Sequence, residues 1–188
     1  MLAARVLGEL EGSGELYAVL DGARDRRVRG FVFDSRAASW CLYRGELPAA
    51  LENAAPWLLK LVPGQRYTEE FFERGWNQSW GIVLASTIPS RELRRHLRRF
   101  LVVRSEEGTR LVFRYYDPRV LRVYLPTCTP QESEIFLGPI AAVAAAGEAP
   151  DSFHLFRRKD GALEHRQGRI EPAAPPGPGA GSQARKRP

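Results

Sequence analysis

Sulfur and long apolar runs are scarce in this chain. Only Cys41 and Cys128 represent cysteine. A pair so far apart, with no CxxC neighbour, builds neither a disulfide framework nor a zinc site. Two buried thiols in a reducing compartment are expected instead. The run Ile140–Ala146 falls far short of the ~20 residues a membrane span needs. At the start of the chain, Glu9, Gly12, Ser13 and Gly14 interrupt the apolar residues before they could form the core of an export signal. The cytoplasm is the expected location.

Local catalytic signatures are missing as well. The histidines are His96, His154 and His165, and there is no HExxH, Gly-rich phosphate loop or GxSxG. Gly12-Ser13-Gly14 precedes an expected strand, whereas a phosphate loop follows one. A Ser-His-Asp site assembles across a fold without local signature, so an unrecognised hydrolase stays open as an alternative. The expectation is a protein that is not an enzyme, with no catalytic, cofactor-binding or metal-binding residues.

What is present suits one globular domain: 188 residues, 44% hydrophobic and 27% charged. The formal charge of +6 is localised. Arg91, Arg94, Arg95, Arg98 and Arg99 stand against Glu92 alone, and Arg185, Lys186 and Arg187 against Glu171 alone. These two pieces hold the whole positive excess.

Leu16–Leu20, closed by Asp21-Gly22, reads as a buried strand. Val28, Phe31 and Val32 have helical spacing, Trp40–Tyr43 reads as a strand, Leu47–Ala54 as a short helix and Trp57–Leu61 as another strand. Thr68, followed by Glu69 and Glu70, is expected to cap a helix carrying Phe71 and Phe72. Gly81–Leu84 reads as a strand. Leu93, His96, Leu97, Phe100 and Leu101 share one helical face, with the arginines on the other. Val102–Arg104 and Leu111–Tyr116 read as a hairpin. Asp117 and Pro118 open a helix that Pro126 should stop. Thr129 and Glu132 have capping-box spacing for a further helix, and Phe153 and Leu155 suggest a last strand.

The expected fold is therefore α/β: a single domain with a mixed, mainly short-stranded sheet covered by helices. An N-terminal extension (1–14) precedes the domain (15–168). From 169 to 188 runs a basic tail, in which 8 of the 18 residues from Glu171 to Pro188 are Pro or Gly. That composition reads as disorder.

Several residues stand out. His96 should face inward, its ring nitrogens bonded to the sheet. Arg114, placed between Val112 and Tyr116 on a strand, should pair with Asp117 or Asp21. Arg91, Arg94, Arg95, Arg98 and Arg99 read as a solvated helix face, an acidic partner's docking face or a nucleic-acid site. Reversal of Arg95 and Arg98 is expected to leave the fold intact. Trp57 and Trp80 read as core. Trp76, in a loop-like setting, reads as core or as a ring offered to a partner.

Taken in order, Leu16-Tyr17-Ala18-Val19-Leu20-Asp21, Leu42-Tyr43-Arg44-Gly45, Ala55-Pro56-Trp57-Leu58, Trp80-Gly81-Ile82-Val83-Leu84, Arg94-Arg95-His96-Leu97-Arg98-Arg99 and Phe113-Arg114-Tyr115-Tyr116-Asp117-Pro118-Arg119-Val120-Leu121 resemble the type VI secretion effector chaperone or adaptor family. The resemblance runs from about Leu16 to Phe156. Its most specific part is the His-Leu-Arg-Arg helix followed by Phe-Arg-Tyr-Tyr-Asp-Pro-Arg, and Asp21, His96, Arg114, Asp117, Pro118 and Arg119 belong to the motif. It implies a cytoplasmic, non-enzymatic loading factor that binds a toxic effector protein and seats it on a spike of VgrG, a valine-glycine-repeat trimer, or of PAAR protein. Many members continue into a second, helical lobe, whereas this chain runs into the Pro/Gly tail. The alternative is a nucleic-acid-binding module using the Arg-rich helix 91–99, although stacking aromatics and a recognisable motif are missing. Membrane partners and cofactors are not expected.

Overall fold

The computed structural model describes residues 2–170. Its elements are α1 (Leu2–Leu10), β1 (Glu15–Asp21), α2 (Arg27–Asp34), β2 (Ser39–Cys41), α3 (Ala49–Asn53), β3 (Pro56–Leu61) and α4 (Arg66–Arg74), followed by a 3-10 turn at Trp76–Gln78. β4 (Gly81–Ser86), α5 (Ser90–Arg98), β5 (Val102–Arg104), β6 (Arg110–Val112), α6 (Pro118–Thr127), α7 (Pro130–Leu137), β7 (Ile140–Ala146), β8 (Ser152–Lys159) and β9 (Ala162–Arg169) complete the fold. Seven strands form one sheet in the order β2-β3-β1-β4-β7-β8-β9, while β5 and β6 form a separate hairpin.

Helices cover both faces of the large sheet. Ala18 and Leu20 of β1 pack with α1, α2 and α4 on one side, and Tyr17 and Val19 pack with α5, α6 and α7 on the other. This explains the unbroken apolar run of β1, which is buried from Leu16 to Asp21. The α/β class and single domain agree with the sequence reading.

Strand direction differs: every pairing is antiparallel, not mixed. A strand buried on both faces has the same apolar pattern whichever way its neighbour runs, so periodicity carries no direction. β7 also went unread. Its sequence IAAVAAA is rich in alanine, a helix former. Those small side chains suit a strand enclosed on both faces, and α1, α6 and α7 all lie against it.

Local capping produced further differences. α4 begins at Arg66 after Gln65, so Thr68 is not its cap. The Thr68 hydroxyl instead donates to the Val62 carbonyl at 2.8 Å. α6 continues through Pro126 to Thr127, because a proline one residue from the end sacrifices only one ladder bond. The Asp117 cap and the Thr129–Glu132 capping box form as read.

The stretch expected as an extension contains α1, whose Ala3, Val6, Leu7 and Leu10 are core residues. At the other end, β9 reaches Arg169 and Ile170 packs against the core. The disorder expected for the rest of the tail falls on 171–188, outside the described residues. Among the described residues, no helix is long and apolar enough to cross a membrane.

Candidate partner-binding surface

A strand residue whose carboxylate leaves solvent must find cations. Asp21, at the end of β1, is fully buried. Arg114 reaches it from the turn between β6 and α6, with Nε 3.1 Å from Oδ2 and a terminal N–H directed at the same oxygen. Arg114 is therefore not strand-borne, since β6 ends at Val112. Its guanidinium also lies 3.6 Å from Asp117. Hydrogen bonding to Asp21 holds the guanidinium more firmly protonated than usual.

Asp117 accepts the Arg119 backbone N–H at 3.0 Å and two N–H groups of the Arg119 guanidinium. Burial pushes the Asp117 carboxyl up, but its bonds to Arg119 and the charges of Arg119 and Arg114 together hold it below the ordinary range. Pro118 fills the first turn of α6, where a missing N–H costs nothing. Asp21, Arg114, Asp117 and Arg119 thus tie the end of β1 to the start of α6. The Tyr115 hydroxyl extends the tie to α5 by donating to the Leu97 carbonyl at 3.1 Å.

His96 faces inward, but its Nε2 meets the Phe136 carbonyl of α7 at 2.7 Å, not the sheet. A carbonyl only accepts, so Nε2 carries the proton. Burial lowers the His96 pKa. Gly138 leaves room for this ring: a β-carbon there would stand 2.7 Å from His96 Cε1, at a φ of +46°.

The five arginines do not form one face. Arg98 donates to the Cys41, Leu42 and Tyr43 carbonyls at 3.1, 2.8 and 2.6 Å, and Arg94 adds a bond to Cys41 at 3.1 Å. Together they clamp the chain leaving β2 and seat Leu42 in the core. A carboxylate at 98 would face three carbonyl oxygens, so reversing Arg98 would not spare the fold. Only Arg91, Arg95 and Arg99 are left exposed, at i, i+4 and i+8. None of these three has an ion-pair partner among the described residues.

This stripe ends where the hairpin begins. Val102, Val103, Leu111 and Val112 are 36–64% exposed there, on both faces of the two-stranded sheet. An isolated hairpin is marginal in water, and solvated valine and leucine on both its sides make a surface suited to covering. Sequence reading found the hairpin but not its exposure. Two apolar residues on each three-residue strand read the same whether they are covered or solvated, so the sequence carried no signal of it.

The remaining candidates go inward. Trp76 is fully buried against Phe71 and Phe72, so no ring is offered to a partner from its loop. Trp57 and Trp80 are core, as read. Cys41 and Cys128 are half-buried free thiols, not fully buried ones. Burial raises both thiol pKa values, which disfavours the nucleophilic thiolate. His154 and His165 meet each other at 2.9 Å across β8 and β9. Among the described residues, no group of three or more His, Cys, Asp or Glu is placed to hold a metal ion.

Neither the curated proteins nor the solved structures contain a match to this chain. A family profile does match it, over residues 16–134, and its description is Domain of unknown function (DUF4123). The matched span contains the whole Asp21–Arg114–Asp117–Arg119 tie, the carbonyl clamp, the arginine stripe and the hairpin. The chain therefore belongs to the DUF4123 family.

Proposed function

We propose that this protein is a non-enzymatic cytoplasmic adaptor that binds a type VI secretion effector and helps load it onto a VgrG or PAAR spike. The supporting observation is the surface formed by Arg91, Arg95 and Arg99 and the exposed apolar hairpin β5–β6. Its chemistry suits a protein partner with acidic groups beside apolar ones. The other motif residues already have partners within the fold, in the Asp21 tie, the His96 contact and the carbonyl clamp. The effector and the spike come from the motif resemblance carried by the His-Leu-Arg-Arg helix and the Phe-Arg-Tyr-Tyr-Asp-Pro-Arg turn.

Co-expression tests this reading. A toxin encoded beside a spike gene should be recovered in higher soluble yield with this chain than without it, and the two should co-purify. Equal soluble yield, with no co-purification, would defeat the proposal.

A further inference from the structure

An open sheet has two edges, and this molecule closes them unequally. β2, at one edge, is three residues long, and the carbonyl of its last residue is taken by Arg94 and Arg98. β9, at the other edge, runs for eight residues, contains no proline and keeps an unbroken register against β8. Among the described residues β9 pairs with β8 alone, and its other side makes no backbone hydrogen bond. Short length, proline, bulges and a covering element are what protect an edge from pairing, and β9 has none of them. It also lies past residue 134, where the family match ends.

The ladder fixes which residues of β9 face outward. Asp160 and Gly161, both with positive φ, make the two-residue turn between Lys159 and Ala162, so that pair exchanges backbone bonds. At the far end the Ile170 N–H donates to the Asp151 carbonyl at 3.0 Å, in the same alternation. Ala162, Glu164, Arg166 and Gly168 therefore direct their N–H and C=O toward β8. Leu163, His165, Gln167 and Arg169 direct theirs to the open side. Side chains alternate across the two faces as well. Leu163 and His165 lie on the face of Phe156, whereas Glu164 and Arg166 lie on the face of α1, where Arg166 pairs with Glu9.

We propose that β9 pairs antiparallel with β9 of a second copy about a two-fold axis at His165, joining the two sheets into one. The register follows from the alternation and the charges. An axis between two residues would set each outward-facing residue against an inward-facing one, so the axis passes through a residue. Centred on Arg166, two guanidiniums would meet, and centred on Glu164, two carboxylates would. Centres nearer either end shorten the ladder. Centred on His165, Leu163 pairs with the partner's Gln167, His165 with the partner's His165, and Glu164 stands opposite the partner's Arg166 on both sides of the axis. The outward-facing residues then exchange about six backbone hydrogen bonds. Glu164 and Arg166 take the non-hydrogen-bonded positions, where side chains approach most closely. Arg157, 2.7 Å from Glu164, and Glu9, paired with Arg166, extend each contact into a row of alternating charge.

Sedimentation velocity of the full chain tests this. At low salt the unmodified chain should pass from monomer to dimer as its concentration rises. Gln167→Pro removes an outward N–H and no bond to β8, so that variant should stay monomeric while melting close to the unmodified chain. Arg166→Glu and Glu164→Arg each set like charges against each other twice, and each should weaken dimerisation about tenfold. Mixed one to one, these two variants place opposite charges across both pairs, and they should dimerise with each other as tightly as the unmodified chain does. An unmodified chain that stays monomeric at every concentration would overturn the proposal. Dimers that Gln167→Pro leaves intact, or charge variants that do not recover on mixing, would overturn it as well, by placing the contact elsewhere or in another register.

Discussion

Arg114 is the cation on which the junction between β1 and α6 depends. Arg114→Ala leaves the Asp21 carboxylate buried without its partner, a change that costs about 3 kcal/mol. For a domain of this size that lowers Tm by about 6–12 °C, measured by thermal denaturation. Unchanged melting together with lost partner binding would instead place Arg114 in the interface. His96 gives the second prediction, and its sign follows from burial. The unfolded chain takes up the imidazole proton at about pH 6.5, whereas buried His96 takes it up at lower pH. Between these values the unfolded state binds more protons, so stability is full above pH 6.5 and falls as pH drops through the folded value. His154 and His165 are shifted the same way. The depressed carboxylates, Asp117 and Glu164 among them, lose their contribution only below about pH 4. Tm should therefore fall between pH 7.5 and 5.5, and fall less in His96→Gln, which keeps an N–H for the Phe136 carbonyl. Equal falls in the two proteins would remove His96 from this account.

The helix α5 shows at the scale of one element what a sequence can and cannot reveal. Leu93, His96 and Leu97 are buried as their spacing indicates, because a helix repeats its face every 3.6 residues. The division of labour among its arginines was not legible. It depends on carbonyls more than fifty positions earlier in the chain, and nothing in α5 itself separates Arg98 from Arg95. The same limit hid strand direction and left Trp76 open between core and surface, since its polar neighbours Asn77 and Gln78 are exposed while its ring is not. β7 was missed for a different reason, since alanine carries no strand signal of its own. The capping box of α7 and the Asp117 cap were readable because both are complete within four residues. The split in α5 makes a prediction. Arg98→Glu should lower Tm markedly, whereas reversal of Arg91, Arg95 and Arg99 together should leave it nearly unchanged. The triple reversal should slow association with an acidic partner about tenfold at low salt, read by stopped flow. Nucleic acid makes the contrary case: strong duplex binding at physiological salt, abolished by the same triple reversal, would assign the stripe to phosphate contacts.

Across the whole molecule, the structural devices and the available surface are separate. The sheet is covered by helices on both faces, and the ionic groups Asp21, Arg114, Asp117 and Arg119 are paired with one another within the fold, leaving the arginine stripe, the hairpin and the outer edge of β9 exposed. Such a molecule offers contact areas, which is what a loading factor requires. The measurement that tests this most directly is export of the effector from a strain lacking this gene, with VgrG export followed in the same cultures. The account predicts that effector export is lost while VgrG export continues, and that the unmodified gene restores it but one encoding the Arg91, Arg95 and Arg99 reversal restores it poorly. Undiminished effector export in the deletion strain would contradict the account.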